Sequence, residues 1–280
     1  MTLAEALKYA QSQIVSSDSP AVDAQWLLMH VLDCDRSYLF TWPERSLSRA
    51  QEKEFKTLVA RRAIGEPVAF ITGSRAFWNF ELEVNNTTLI PRADTEILVE
   101  TALSLGTNSK AQVLDLGTGT GAIAFALATE RPDWQILAVD KFPEAIALAK
   151  RNRERLGLNE VEIQQSDWFQ SIDSASPFDL IVSNPPYIDS EDLHLEAGDV
   201  RFEPKSALVA QSEGYADIFH IIEHARAYLS DSGWLLFEHG YMQAEKIQEY
   251  FLEKGYKRVN TVQDYANLNR VTFAQWQFKG

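Results

Sequence analysis

The chain of 280 residues contains one cysteine, Cys34, which excludes an internal disulfide. No zinc ligand set is spaced around it, and it reads as a buried thiol filling core space. The five histidines, His30, His194, His220, His224 and His239, also lack metal spacing. His220 and His224 lie one helical turn apart but have no third ligand, so no metal is expected. No apolar run approaches the ~18 residues of a membrane span. The opening stretch MTLAEALKYAQSQIVSS alternates polar and apolar residues, without the basic start and unbroken apolar segment of a signal peptide, so the chain is expected in the cytoplasm. Basic residues are scarce as well. The net charge is −14, residues 1–75 are balanced, and no Lys or Arg occurs between Arg155 and Arg201. An acidic field of that kind repels phosphate and favours a basic partner.

What remains is the composition of a soluble globular protein, 45% hydrophobic and 24% charged. Apolar residues recur at helical spacing over 3–15, 20–33 and 48–63, with a shorter piece near 36–41, behind starts such as SDSP and SLSRAQ. This predicts a small N-terminal helical bundle over 1–75, closed by Gly65, Pro67 and Gly73. Residues 76–91 alternate and contain the turn-forming pair Asn85-Asn86, which predicts a β-hairpin linker. From 92 to 280 helical and strand-like segments alternate, the strands being AQVLDLG, QILAVD, VEIQQSD, FDLIVSNPP and GWLLFEHG. Such alternation predicts an α/β, doubly wound, mostly parallel sheet of Rossmann-like type, with a helix and edge strands added at the end. Ligands of these sheets bind at the carboxyl ends of the strands.

Chemistry-bearing residues fall at those ends. Asp115, Gly117, Thr118, Gly119, Thr120 and Gly121 follow the first strand, and glycines there let the backbone turn tightly and approach a ligand ahead of a helix N-terminus. The spacing is G-x-G-x-G, which differs from the dinucleotide fingerprint. Asp140 ends the second strand, where it either accepts from ribose hydroxyls or caps the next helix. Asp167 and Trp168 end the third, placed either to accept from an adenine amine and cover its ring or to serve as a loop acid beside a core indole. Asn184, Pro185, Pro186 and Tyr187 end the fourth, and the two prolines forbid both helix and central strand.

This succession resembles the class I S-adenosylmethionine-dependent methyltransferases, with an acidic-x-G-x-G-x-G motif on the first strand, an acid on the second and [D/N]-P-P-[Y/F/W] on the fourth. The resemblance implies S-adenosylmethionine as cofactor, held by the residues above together with Asn184. It also implies methylation of a planar, poorly basic nitrogen. The Asn184 side-chain carbonyl and the Pro185 backbone carbonyl can each accept one N–H of the target –NH2, with Tyr187 as a flat wall for the substrate. Nucleobase amines and the glutamine amide both meet that description. The acidic surroundings and the lack of room for a base-recognition domain favour glutamine.

The whole chain resembles the bacterial release factor glutamine methyltransferases. DAQWLLMHVL, RRAIGEPVAFITG, FWNFELEV, LIPRADTEILVE, VLDLGTGTGAIA, SNPPYI and FEPKSAL carry the likeness. That resemblance implies methylation of the glutamine in the GGQ loop of peptide chain release factors, with the helical N-terminal domain helping to dock them. No direct nucleic-acid or membrane contact is expected, and the chain is expected to be a monomer. Two departures stand out, Ala93 within IPRADTE and Asn269 before Arg270-Val271-Thr272, where the family has proline. By the same resemblance IPRADTE lies beside the active site, which makes Arg92, Thr95 and Glu96 secondary candidates. Asp94 or Thr95 capping the following helix explains the segment equally well.

Overall fold

The computed structural model describes residues 1–105 and 108–278. The chain forms two compact units, Met1–Ser74 with Leu193–Phe202, and Arg75–Asp192 with Glu203–Gly280.

In the first unit, α1 (Leu3–Gln13), α2 (Pro20–Leu32), α3 (Arg36–Thr41), α4 (Arg49–Ala63) and α5 (Val68–Thr72) form the bundle. Its starts are set by local chemistry. The Thr2 hydroxyl accepts from Glu5 N–H while the Glu5 carboxylate accepts from Thr2 N–H, and Ser48 and Gln51 repeat this reciprocal cap at α4. Leu3, Leu27, Leu28, Phe55 and Val59 close the core. Cys34 is half-buried against that core, where the sequence reading has a buried thiol, because it follows α2 in the short turn before α3. Arg62 pairs with Asp23 at 2.7 Å and with Asp199 at 2.8 Å, which ties Leu193–Phe202 to α4.

The second unit opens with β1 (Ser74–Phe77) and β2 (Phe80–Glu83), which pair with each other. The hairpin turns at Trp78-Asn79, with Trp78 at φ 55°, and the Asn85-Asn86 turn of the sequence reading is not its corner. Asn85 instead accepts from the Thr87 N–H at 2.9 Å, an Asx turn in the loop beyond.

Then come α6 (Thr95–Ser104), β3 (Gln112–Leu116), α7 (Ala122–Glu130), β4 (Gln135–Asp140), α8 (Pro143–Leu156), β5 (Glu162–Gln165), β6 (Phe178–Ser183) and the short β7 (Ile188–Asp189). After them follow β8 (Val209–Ala210), α9 (Gln211–Gly214, one distorted turn), α10 (Ala216–Ala225), β9 (Leu229–Glu238), α11 (Ala244–Glu253), β10 (Lys257–Gln263) and β11 (Asn269–Gln275). The main sheet has the order β10-β11-β9-β6-β3-β4-β5. Neighbours from β9 through β5 run parallel, and β11 pairs antiparallel with both β9 and β10.

Alternate residues of each central strand feed opposite cores. Val113, Leu180 and Val182 pack with α6, α7 and α8, while Leu114, Leu116 and Ile181 pack with α10 and α11. From β3 the chain steps outward through β4 to β5, then returns to the other side of β3 as β6. The loops after β3 and β6 therefore diverge and leave a crevice at the carboxyl edge. Leu116 is in register with Ser183, so Gly117 and Asn184 leave the sheet side by side.

Candidate active site

A cleft of about 310 Å³ opens at that crevice, within the usual range for small-molecule sites. Gly117, Thr118, Gly119 and Thr120 line it, as do Asp140, Asp167, Trp168, Asn184 and Pro186. Asp115, Gly121 and Tyr187 are not among the lining residues, and each has a different place, while Pro185 is buried between the lining residues Asn184 and Pro186.

The glycine loop takes its shape from left-handed backbone at Gly117, Gly119 and Gly121, with φ of 71°, 55° and 90°. The Gly117 and Thr118 N–H groups both donate to the Val139 carbonyl at 2.9 Å, which curls the loop over the end of β4. Gly121 begins α7, and a Cβ there would fall 2.0 Å from the Phe125 ring. Asp115 lies fully buried beneath the loop and accepts from the Thr118 hydroxyl at 2.6 Å, so it shapes the cradle from behind. Its Oδ1 has no partner within hydrogen-bond geometry among the described residues. Burial pushes the Asp115 carboxyl up to about 7, against the pull of the Thr118 hydroxyl and the nearby Ala124 amide.

Asp140 does two jobs. Oδ1 accepts from Phe142 N–H at 3.0 Å, an Asx turn ahead of α8, and Oδ2 accepts from Gly119 N–H at 3.0 Å. Helix α8 starts from Phe142 without a side-chain cap, so Asp140 is not the helix cap the sequence also allowed. The carboxylate also lines the cleft, and a carboxylate has about four acceptor sites in all. Burial raises the Asp140 carboxyl, and the Phe142 and Gly119 amides oppose that rise. Trp168, left-handed at φ 50°, sets its ring against Gly117, where an added Cβ would lie 3.6 Å away. Asp167 pairs with Lys141 at 2.8 Å.

The proline segment is anchored from below. The Ser183 hydroxyl donates to the Leu116 carbonyl at 2.7 Å, and Gln243 donates to the Tyr187 carbonyl at 3.1 Å. The Asn184 amide donates to Glu238 Oε2 at 3.1 Å and to the Thr95 hydroxyl oxygen at 3.2 Å. Tyr187 turns its hydroxyl to Glu238 Oε1 at 3.1 Å and packs its ring against the α10/α11 core, so it supplies no wall to the cleft. Burial raises the Tyr187 hydroxyl further above its ordinary range, and the Glu238 charge adds to this, so Tyr187 stays a donor.

Among the secondary candidates, Thr95 lines the cleft and donates to Glu238 at 2.6 Å. Neither Asp94 nor Thr95 makes a side-chain cap to α6. Arg92 pairs with Glu203, and Glu96 faces away, accepting from Trp78 N–H at 3.0 Å.

Two matches to family models divide the chain, a PrmC N-terminal domain over residues 5–73 and a methyltransferase domain over 107–272. A release factor glutamine methyltransferase of Shewanella oneidensis is 56% identical over 275 residues, 98% of this chain and 96% of that protein. The chain belongs to the release factor glutamine methyltransferase family. Among solved structures, a Pyrococcus furiosus methyltransferase has a TM-score of 0.55 at 18% identity, covering 78% of this chain and 98% of that one. A T. thermophilus 16S rRNA methyltransferase in complex with AdoMet and guanosine has a TM-score of 0.53 at 20% identity, covering 73% of this chain and 50% of that one. These two share the fold.

The methyl donor of the family is S-adenosylmethionine, and the cleft suits it. The wall carries Asp140, Asp167 and Asp217 against the single Lys141, itself paired with Asp167. That charge fits a ligand with a sulfonium and an ammonium, and no basic loop side chain awaits a phosphate. Three acids escaped the sequence reading. Asp217 sits in the first turn of α10, where it reads as an ordinary helix-start acid. Glu203 is buried in FEPKSAL and accepts from Ile90 N–H at 2.9 Å, so it joins two loops 113 residues apart. Glu238 ends β9 as a buried carboxylate. An acid closing the apolar run Trp234 to Phe237 was the one available signal for it.

Proposed function

We propose that this chain transfers the methyl group of S-adenosylmethionine to the side-chain amide nitrogen of the glutamine in the GGQ loop of peptide chain release factors, modulating translation termination. The carrying observation is that Asn184 and Pro186 share one cleft with the glycine loop and Asp140. The names of its relatives supply the substrate.

S-adenosylmethionine supplies a methyl on a positively charged sulfur. Gly117 to Thr120, Asp140 and Trp168 hold and orient that donor. An amide nitrogen is a poor nucleophile because its lone pair is delocalised, so the gain comes from alignment and from fixed dipoles. The Asn184 side-chain carbonyl and the Pro185 carbonyl accept the two N–H groups and turn the lone pair toward the methyl. The same oxygens stabilise the positive charge that grows on nitrogen as the N–C bond forms and the methyl–sulfur bond breaks. S-adenosylhomocysteine leaves and one N–H proton passes to water, giving the N-methyl amide. Asp115 and the prolines keep loop and acceptors still, which is the preorganisation the reaction needs. The helical unit docks the release factor, the acidic residues after Arg155 attract its basic loop, and the chain acts as a monomer without direct contact to nucleic acid.

The test is methyl transfer from labelled S-adenosylmethionine to an unmethylated release factor, its GGQ-loop Gln→Ala variant, DNA and RNA. Label on the unsubstituted factor alone is expected. Label on nucleic acid means that Asn184 and the prolines hold a base.

A further inference from the structure

Glu238 and Asn184 end neighbouring parallel strands, with Ser183 in register with Phe237. The Glu238 side chain is buried, and its two oxygens take three donors. Oε2 accepts from the Thr95 hydroxyl at 2.6 Å and from Asn184 Nδ2 at 3.1 Å, and Oε1 accepts from the Tyr187 hydroxyl at 3.1 Å. An asparagine amide has a donor end and an acceptor end, and rotation exchanges them at little cost when nothing distinguishes the two. Burial raises the Glu238 carboxyl, while the Thr95 and Tyr187 hydroxyls and the Arg270 charge oppose that rise. With three donors converging on its two oxygens Glu238 acts as a carboxylate, which only accepts. Glu238 therefore takes the Asn184 NH2 and sends Oδ1 to the other side, where Asn184 lines the cleft.

We propose that Glu238 is a positioning residue that fixes the polarity of the Asn184 amide, so that the cleft presents a hydrogen-bond acceptor and selects a substrate –NH2 over a carboxylate. This rests on the glutamine reading above. Glutamine and glutamate are nearly isosteric, so pocket shape cannot separate them, whereas hydrogen-bond polarity can. A glutamate in the same place would set oxygen against Asn184 Oδ1 and add negative charge to a wall that already holds Asp140, Asp167 and Asp217. Thr95 has a share in the arrangement. By donating to Glu238 it leaves its own oxygen as a second acceptor for Asn184 Nδ2, at 3.2 Å. The hydroxyls of Thr95 and Tyr187 adapt to either role, so Glu238 alone imposes the sense.

Glu238→Gln tests this, because a glutamine of the same size can offer Asn184 either its carbonyl or its amide. Binding of a full-length release factor is compared with binding of its GGQ-loop Gln→Glu variant, with S-adenosylhomocysteine present to prevent turnover. The unsubstituted enzyme is expected to favour the glutamine form about tenfold or more, and in Glu238→Gln that ratio should contract at least about threefold. In the same variant kcat should fall about tenfold or more, with S-adenosylmethionine affinity within about twofold. An unchanged ratio overturns the proposal even if kcat falls, since a merely structural defect lowers both affinities together. Where the variant does not fold, NMR of the unsubstituted enzyme decides. The Asn184 side-chain NH2, identified by its absence in Asn184→Asp, should exchange far more slowly than exposed asparagines, and fast exchange overturns the proposal. Failure of the unsubstituted enzyme to methylate any release factor sinks the functional reading, and the exchange measurement still decides the role of Glu238.

Discussion

Asp140 holds together two things that the site needs, the Gly119 amide of the loop and an acceptor edge facing the cleft. Asp140→Ala should weaken S-adenosylmethionine binding about 10- to 100-fold, the usual scale for a charge-assisted hydrogen bond. Titration calorimetry checks this, and an unchanged dissociation constant contradicts the assignment. Asp115 and His239 carry opposite pH dependences. Burial holds Asp115 up to about 7, so between about pH 4 and 7 the folded chain keeps a proton that the unfolded chain has lost, and stability falls as pH rises through that window. Burial holds His239 down to about 4, so the folded chain binds fewer protons than the unfolded one between about pH 4 and 6.5, and stability rises with pH there. Asp115→Asn removes the first contribution. Relative to the parent, the variant should gain on the order of 2 kcal/mol between pH 5 and 7 in denaturant unfolding, and an equal gap at both pH values contradicts this. At this scale the sequence exposes residues whose motif spacing is local. Asp115 is legible as a motif acid, but strand parity, which aims it beneath the loop toward α7, decides that it braces the cleft. Glu238 is invisible beforehand because its partners Thr95, Asn184 and Tyr187 lie 143, 54 and 51 residues away in sequence.

The junction between β3 and α7 depends on glycine where the backbone is left-handed and the space is already taken. Gly121→Ala should cost about 2–4 kcal/mol, combining the penalty of left-handed backbone with the displacement of Phe125. A change below about 0.5 kcal/mol in denaturant unfolding contradicts the packing account. Elements with strong periodicity, α1, α2, α4 and the strands β3, β4 and β6, fall where the hydrophobic spacing puts them, and at α1 and α4 the reciprocal caps agree with it. A hairpin forms at 74–83, whereas alternation in the sequence put it at 76–91, and its corner differs too. Asn85-Asn86 carries the usual turn residues, while the observed corner sets a tryptophan at φ 55°, a conformation that side-chain preferences disfavour. Helix α5 was hidden because it follows Gly65 and Pro67, which read as punctuation.

Across the molecule, charge and connectivity are the properties that depend on everything at once. The N-terminal unit recruits Leu193–Phe202 through the pair of Arg62 and Asp199, which no linear reading of composition reveals. The acidic excess, by contrast, is plain in the sequence and has a direct consequence. The KM for a release factor should rise several-fold between about 50 and 300 mM salt as screening shortens the field, and a KM independent of salt contradicts steering. The central claim is that one cleft holds the donor with the glycine loop and Asp140 and aligns the acceptor amide with Asn184. The most direct measurement is kcat on an unmethylated release factor beside S-adenosylmethionine affinity for Asn184→Ala. The account predicts a kcat lower by about 100-fold or more with affinity within about threefold. Turnover near that of the parent, or a loss of affinity that matches the loss of kcat, contradicts it.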